Sequence, residues 1–154
     1  EDWLGSYTGT LTAYRAGSTQ NLYPAKVELT IAETPDSNRW QWSSVYHIEG
    51  QENPVEKKYY IIQTDTLAAN QFIMDEDNGI FINQHLYGNT ITGAYTVNKQ
   101  FFTFSYTKIG SELLYELTVY NREPKEALEI EEGFEVGKIE MTNVQRVYFT
   151  KVEK

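Results

Sequence analysis

The side chains that could do chemistry in this sequence are mainly tyrosines, because metal ligands and activated nucleophiles are scarce. The chain contains 12 Tyr but only 2 His and no Cys. Without cysteine there is no disulfide and no thiolate metal or redox chemistry. His47 and His85 both fall on the predicted outer faces of strands, and two histidines alone make a poor metal set. The sequence therefore predicts neither a metal site nor a bound cofactor.

Carboxylates are abundant, but they are not predicted to converge in the interior. Glycoside hydrolysis requires two carboxyl groups in one pocket, and only Asp75 is predicted to point inward in the central strands. Residues 75–79 resemble a calcium loop only superficially, because the 12-residue spacing with Gly at six and Glu at twelve is absent. No Gly-x-Ser-x-Gly, Walker or dinucleotide motif is present. We predict a protein that is not an enzyme; a tyrosine-dependent isomerase or cyclase is an alternative, although no positioned base accompanies it.

The phase of the central strands, residues 71–120, follows from three turn motifs that contain Asn. These are Asn78-Gly79, Gly88-Asn89 and Asn98-Lys99. Asn and Gly tolerate the positive φ of two-residue hairpin loops. Loops of two residues would pair Asp75 with Ile82 and Tyr95 with Phe102. A fourth connection, of two or four residues around residues 109–110, keeps the same phase and is predicted to set Leu113 opposite Tyr106.

This register separates an apolar, aromatic face from a Thr-rich face, since opposite residues share a side of a sheet. The predicted inner face comprises Ile73, Ile82, Gln84, Leu86, Ile91, Tyr95, Val97, Phe102, Phe104, Tyr106, Leu113, Tyr115, Leu117 and Val119. Phe72 and Met74 are predicted to face outward. An earlier strand places Trp40, Trp42 and Tyr46 on one face. In the strand predicted over residues 56–65, either Tyr59 with Ile61 or Tyr60 with Ile62 points inward, and the pattern does not choose.

A few hydroxyl and amide groups in an aromatic wall have the composition of a small-molecule pocket. The predicted ligand-binding residues are Trp42, Tyr46, Gln84, Tyr95, Phe102, Phe104, Tyr106 and Tyr115. The same composition also suits a filled core in which Tyr hydroxyl groups reach water at the rim. The sequence leaves both interpretations open.

The fold class predicted is all-β, with residues 1–154 forming a single domain built as an antiparallel up-and-down β-barrel of about ten strands. Sequential tight hairpins favour a meander over the Greek-key crossings of a two-sheet sandwich, the alternative architecture. Residues 122–137 interrupt the strand pattern with six glutamates. We interpret them as a solvated loop at the barrel rim, with a short helix between Pro124 and Gly133, a calcium site or a lid as alternatives.

Charge and hydropathy limit the partners. A formal net charge of -9 disfavours nucleic acid, whose phosphates require a clustered positive surface. No stretch is long and apolar enough for a membrane span, and no pattern indicates an oligomeric state. The chain opens without Met, from which we expect an exported bacterial protein that is secreted, periplasmic or bound to the cell envelope.

The opening residues 3–10, Trp-Leu-Gly-Ser-Tyr-Thr-Gly-Thr, resemble the first strand of the calycin superfamily, which includes lipocalins, fatty-acid-binding proteins, avidins and nitrobindin-like haem barrels. These families place Gly-x-Trp there, and Gly5-Ser6-Tyr7 occupies that position. Lipocalins pack a basic residue of the last strand over the Trp, and Arg146 is the matching candidate. No histidine follows His85 to ligate haem. The resemblance implies a lipocalin-like barrel that binds a small, mostly apolar ligand; the alternative is a filled barrel that acts as an exported or envelope protein-interaction domain.

Overall fold

The computed structural model describes residues 3–22 and 24–153, and these residues are all-β, with no helix among them. The first six strands are β1 Gly5–Arg15, β2 Ala25–Glu33, β3 Arg39–Ile48, β4 Val55–Ile62, β5 Gln71–Asp75 and β6 Phe81–Tyr87. The remaining strands are β7 Thr90–Val97, β8 Gln100–Ile109, β9 Glu112–Asn121, β10 Ala127–Glu131, β11 Phe134–Gly137 and β12 Met141–Lys151.

Ten of these strands form a closed antiparallel barrel in the order β1-β12-β9-β8-β7-β6-β5-β4-β3-β2. Strands β1 to β9 each pair with their neighbours in sequence, which is the up-and-down topology predicted. Strand β12 closes the barrel because it pairs with both β9 and β1. Closure removes the free edges that an open sheet would expose. The prediction of an all-β barrel of about ten strands is confirmed.

The core lies inside the barrel, and strict alternation along the strands builds it. In β2, Val27, Leu29 and Ile31 are buried while the residues between them are exposed. Strand β4 adopts the phase in which Tyr59 and Ile61 point inward, since Ile61 is buried and Tyr59 packs against the core. A period of two with one apolar face is what a half-buried strand requires.

Strand β5 lies one residue out of the predicted register. Asp75 pairs with Phe81, so the connection is a five-residue loop, residues 76–80, and not a two-residue turn. The side chain of Asp75 accepts a hydrogen bond from the Asp77 N–H (2.8 Å), and that of Asn78 accepts one from the Ile80 N–H (3.0 Å). These local Asx hydrogen bonds stabilise a longer loop. The prediction of a two-residue turn at this position was wrong.

The shift exchanges the faces of β5, because one residue of slip reverses every side chain. Met74 pairs with Ile82 and is buried, and Phe72 packs against the core. Ile73 instead pairs with the exposed Asn83. Asp75, predicted to point inward, lies on the outer side, where Arg39 Nη2 approaches its Oδ2 at 3.8 Å. The predictions that Ile73 and Asp75 face inward were therefore wrong. The predictions that Phe72 and Met74 face outward were wrong for the same reason.

The other turns follow the prediction more closely. Loops of two residues join Tyr87 to Thr90 and Val97 to Gln100. The connection between β8 and β9 also has two residues, so Tyr106 lies opposite Tyr115 rather than the predicted Leu113. The phase is unchanged by this difference, because a shift of two residues returns every side chain to the same face.

Residues 122–137 contain no helix, which corrects one of the alternatives. They include the hairpin of β10 and β11, a two-stranded sheet separate from the barrel, with Gly133 at positive φ (78°) in its turn. Leu128 and Val136 pair across this hairpin, and both are exposed. Within the described part of the chain, no helix has the length and hydrophobicity needed to cross a bilayer.

Arg146 pairs with Thr12 of β1 through its backbone, but its side chain does not pack over the aromatic ring of the first strand as predicted. Arg146 points outward and donates two hydrogen bonds to Glu116, at 3.0 and 2.8 Å. A different basic residue of β12, Lys151, places its Nζ 5.7 Å from the centroid of the Tyr7 ring. Alternation explains the difference, since Val147 and Phe149 are buried and Lys151 shares their phase while Arg146 does not.

Candidate functional site

The barrel interior contains two cavities, one towards each end. The tyrosine cavity, about 440 Å³, lies where β3 ends and β4 begins. It is named for Tyr46, Tyr59, Tyr95, Tyr106 and Tyr115 in its lining. The tryptophan cavity, about 310 Å³, lies at the opposite end, where β2 ends and β3 begins, and is named for Trp3, Trp40 and Trp42 in its lining. The lumen is therefore neither one open channel nor a completely filled core.

The tyrosines converge because five different strands each present one at an inward position. Tyr106 and Tyr115 pair directly across β8 and β9, with ring centroids 4.7 Å apart. Tyr59 reaches across the barrel from β4, and its hydroxyl lies 2.9 Å from that of Tyr106. Tyr46 and Tyr95 complete the wall from β3 and β7. Local alternation places each ring, but only barrel closure brings the phenol groups together.

An aromatic layer separates the two cavities. Trp42 lines the tryptophan cavity, and Tyr106 lines the tyrosine cavity. Their rings pack edge to face with centroids 4.7 Å apart. Phe104 pairs with Gly93, and its ring lies over the glycine backbone, where a Cβ atom would come within 2.6 Å of Cζ. Edge-to-face aromatic contacts at such distances are favourable. The layer is therefore a tightly packed partition.

Gln84 belongs to this partition and carries an unusual polar group. Its side chain is only 2% exposed, and its Oε1 has no hydrogen-bond partner among the described residues. Its partners in the sheet are Phe72, in the wall of the tryptophan cavity, and Gly93, beneath Phe104. An unsatisfied buried amide oxygen is costly. A hydrogen-bond donor brought in from outside the chain would relieve that cost.

Burial makes the phenol groups of the tyrosine cavity harder to ionise than exposed tyrosines. Desolvation raises the pKa of Tyr46 and Tyr95 above the ordinary value. The same effect raises the pKa of Tyr106 and Tyr115 well above it, and also that of Tyr59, where the hydrogen bond with Tyr106 opposes it in part. These groups, like any tyrosine, are uncharged hydroxyls at neutral pH that can donate or accept hydrogen bonds, and burial extends this state to more alkaline pH.

The mouth of the tyrosine cavity carries charges, in contrast to its wall. Glu56, Lys57, Lys58 and Glu76 all contribute to the lining. Lys57 shares the inward phase of Tyr59, pairs with the buried Ser44, and places its Nζ 5.6 Å from the Tyr46 ring centroid. A ligand in this cavity therefore meets an ammonium group and carboxylates at the opening.

The mouth coincides with a gap in the sheet. Pairing between β4 and β5 covers only residues 60–62, and pairing between β6 and β7 covers only residues 84–87. Beyond these pairs the five-residue loop that follows Asp75 replaces the sheet, and Glu76 and Asn78 from that loop line the cavity. The loop that displaced the predicted register is thus also the element that forms the opening.

Seven of the eight predicted site residues lie in the two cavities or in the partition. Tyr46, Tyr95, Phe104, Tyr106 and Tyr115 line the tyrosine cavity. Trp42 lines the tryptophan cavity, and Gln84 is buried between the two. Phe102 lines neither cavity and stacks on Tyr95 with a centroid distance of 5.0 Å.

Sequence reasoning missed the charged mouth. Lys57 lies two residues before Tyr59 and therefore on the same face of β4. A sequence signal that settled the phase of β4 would have placed Lys57 in the interior. Glu76 gave no such signal, since it was assigned to a hairpin tip. The interior was expected to be nearly free of acids, whereas Glu56 and Glu76 border the tyrosine cavity. That expectation holds for the walls but not for the opening.

The histidines lie on the outer side of the barrel, as predicted. His47 Nε2 lies 2.8 Å from Glu28 Oε2, and the ring of His85 stacks on that of Tyr87 at 5.9 Å. Over residues 3–22 and 24–153, no group of three or more His, Asp or Glu side chains is arranged to hold a metal ion.

No protein-family model and no curated protein matches the sequence. Among solved structures, the chain is similar to a protein of unknown function from the DUF3598 family of Nostoc punctiforme, with a TM-score of 0.61 and 14% sequence identity. The match covers 98% of this chain and 48% of that protein, so the chain spans about half of its length. At this identity the similarity concerns the fold alone. The chain is thus a ten-stranded antiparallel β-barrel that shares its fold with a protein of unknown function.

Proposed function

We propose that the protein binds a small, mostly apolar ligand non-covalently in the tyrosine cavity. The observation that carries the proposal is the convergence of five tyrosines on one cavity of about 440 Å³ that opens to solvent. Ligand pockets of ordinary size combine an apolar aromatic wall with a few placed polar groups. A fully packed core would leave no such volume.

The wall and the mouth suggest which parts of a ligand they recognise. Phe104, Leu117 and Met74 supply apolar contacts, while the phenol groups supply hydrogen bonds. Lys57 at the opening favours an acidic or hydrogen-bond-accepting end group on an otherwise apolar molecule. Affinity would come from apolar burial, and orientation from the hydroxyl groups.

A calycin relationship is part of the proposal. The Gly5-Ser6-Tyr7 sequence at the start of β1 and the ammonium group of Lys151 near the Tyr7 ring support it. Lys151, and not Arg146, is then the basic residue of the last strand that lies over the aromatic ring of the first strand.

The test is binding of 1-anilinonaphthalene-8-sulfonate, an aromatic dye with one anionic group, measured by fluorescence titration. We expect saturable binding that Tyr95→Ala or Phe104→Ala weakens by roughly tenfold, as the loss of a buried aromatic contact would. Lys57→Met should weaken binding by a smaller factor, because it removes one of the four charged groups at the mouth and no aromatic contact. Native mass spectrometry of freshly purified protein would show whether a natural ligand is retained.

Two controls separate binding in the lumen from binding elsewhere. Tyr87 is 60% exposed on the outer side, so Tyr87→Ala is the matched control for Tyr95→Ala. Thr92→Ala removes a hydroxyl that bonds the Phe104 carbonyl group without lining the cavity. If both controls alter dye affinity as strongly as Tyr95→Ala, or if no inward variant alters it, the proposal is wrong.

A second candidate function is interaction with another protein outside the barrel. The hairpin of β10 and β11 favours it, because Leu128 and Phe134 are 67% and 57% exposed and a lone two-stranded sheet gains little stability by itself. The partner tested first is a second copy of the chain. Sedimentation velocity should then show self-association that Leu128→Ser with Phe134→Ser abolishes; a purely monomeric protein at high concentration excludes this form of the function.

A further inference from the structure

The tryptophan cavity is a second site with a chemistry unlike that of the tyrosine cavity. Three indole rings and the ring of Phe72 line its roughly 310 Å³. The ring centroids of Trp3 and Trp42 are 6.1 Å apart and tilted by 40°, and those of Trp40 and Phe72 are 6.3 Å apart and nearly perpendicular at 61°. Aromatic rings therefore line more than one side of the cavity.

Packing and sheet pairing hold this arrangement in place. The Tyr7 hydroxyl, almost fully buried, donates a hydrogen bond to the Trp3 carbonyl oxygen at 2.8 Å and so fixes the segment that enters β1. Trp42 pairs with Ile31 and Trp40 with Glu33 across β2 and β3. The cavity therefore lies on rigid strands, and its carboxylate lies beside an indole.

The described lining of this cavity carries one charged side chain, and that side chain is acidic. Glu33 is that side chain, and its carboxylate forms no ion pair with any described residue. The neighbouring cation Arg39 is held on the outer side, 3.9 Å from the Tyr60 ring centroid and 3.8 Å from Asp75. Lys108, which is buried, and Lys151, which lies over the Tyr7 ring, share the inward phase at this end, and neither lines the cavity. The net charge of -9 adds a negative field around the molecule.

We propose that the tryptophan cavity binds a small alkylammonium cation, with the indole faces around the cation and the Glu33 carboxylate at the rim. Aromatic faces carry a negative quadrupole, and Trp provides the strongest cation–π attraction of the aromatic residues. Several rings that surround one cation are the usual recognition device for quaternary ammonium groups. A neutral apolar ligand would gain from the rings but not from Glu33.

The decisive comparison uses two probes of equal shape. Choline and its uncharged isostere 3,3-dimethylbutan-1-ol differ in replacing N⁺ by carbon, and ligand-observed NMR of the methyl groups measures both affinities on the wild-type protein. We expect choline to bind roughly tenfold more tightly, since a desolvated cation–π contact contributes about that factor. Equal binding of the two probes, or tighter binding of the alcohol, overturns the proposal.

Matched variants assign the site. Trp40→Leu should weaken choline binding by roughly tenfold, whereas Trp40→Phe keeps an aromatic face and should retain most of the affinity. Glu33→Gln should weaken binding several-fold, and the weakening should shrink as salt is added. Asp36→Asn removes an exposed acid at the same end that does not line the cavity, so choline affinity should stay within about twofold.

The proposals for the two cavities can be tested independently of each other. Tyr95→Ala should leave choline binding unchanged, because Tyr95 lines only the tyrosine cavity. Circular dichroism of each variant checks that the barrel is folded. If choline binding is lost in Tyr95→Ala and kept in Trp40→Leu, the cation occupies the other cavity and this proposal is wrong, whatever the dye shows.

Discussion

The two ends of the barrel are built by the same alternation of inward residues, yet they differ in chemistry. At one end, neutral phenol groups line a cavity whose mouth carries both lysines and glutamates. At the other end, indole rings and aliphatic side chains line a cavity with one carboxylate at its rim. The difference shows that a single meander can enclose two unlike cavities, because strand alternation fixes only which residues point inward.

The ends are joined by the partition that contains Trp42, Tyr106, Gln84 and Phe104. Since interiors are close-packed, a change in this layer should affect both cavities, whereas a change at one mouth should affect one. This distinction can be tested by substitutions of decreasing expected effect.

The largest effect is expected from Ile82→Asp compared with Asn83→Asp. Ile82 is 8% exposed and faces the interior, whereas its neighbour Asn83 is exposed on the outer face. A buried unpaired carboxylate costs several kcal/mol, so we expect Ile82→Asp to lose about 4 kcal/mol or more of unfolding free energy. Asn83→Asp should lose less than about 0.5 kcal/mol. Chemical denaturation measures both, and equal losses would show that the two faces of β6 are exchanged.

An intermediate effect is expected from Gly93→Ala in the partition. The new Cβ atom would come within 2.6 Å of Phe104 Cζ and 2.9 Å of the Asn83 carbonyl oxygen. Overpacking of this kind costs about 1 to 3 kcal/mol, and displacement of Phe104 should alter both dye and choline binding. Ala94→Ser, on the exposed side of the same strand, is the control. Loss of stability with both affinities unchanged would mean that the partition does not couple the two cavities.

The smallest effect is expected from Tyr106→Phe, which should change how the stability of the protein falls at alkaline pH. Because burial raises the folded-state pKa of Tyr59 and Tyr106 above the ordinary value of about 10, the folded state keeps protons that the unfolded state loses. Stability is then fully present below about pH 10 and falls as the pH rises further. Tyr106→Phe should cost about 1 kcal/mol at neutral pH through the lost hydrogen bond, and it should make the alkaline decline shallower.

The exposed Tyr87 supplies the comparison for that experiment. Tyr87→Phe should change neither the neutral stability nor the alkaline slope, because its ring is 60% exposed. Thermal unfolding between pH 8 and 11, with tyrosinate absorbance followed in parallel, measures both variants. An alkaline slope in Tyr106→Phe identical to that of the wild type would contradict burial of the phenol groups.

Much of the fold was predictable, because its signals are local. The Gly88-Asn89 and Asn98-Lys99 loops set the register from β6 to β8, and alternation set the face of each residue there. The site was predictable in part for the same reason. Inward tyrosines such as Tyr95 and Tyr115 follow from phase alone, whereas the role of Lys57 required the phase of β4, which two consecutive pairs of Tyr and Ile residues left ambiguous.

The sequence by itself determined that the chain alternates polar and apolar residues over ten barrel strands and which face of most strands is inward, because the side-chain period of a strand is a local property. Only the tertiary structure decided the register of β5, where pairing with both Ile61 of β4 and Ile82 of β6 places Met74 in the core. It also decided that Tyr59 meets Tyr106 and that an aromatic partition divides the lumen. These contacts join residues far apart in sequence. Closure of the barrel brings these residues together, and no local sequence pattern predicts it.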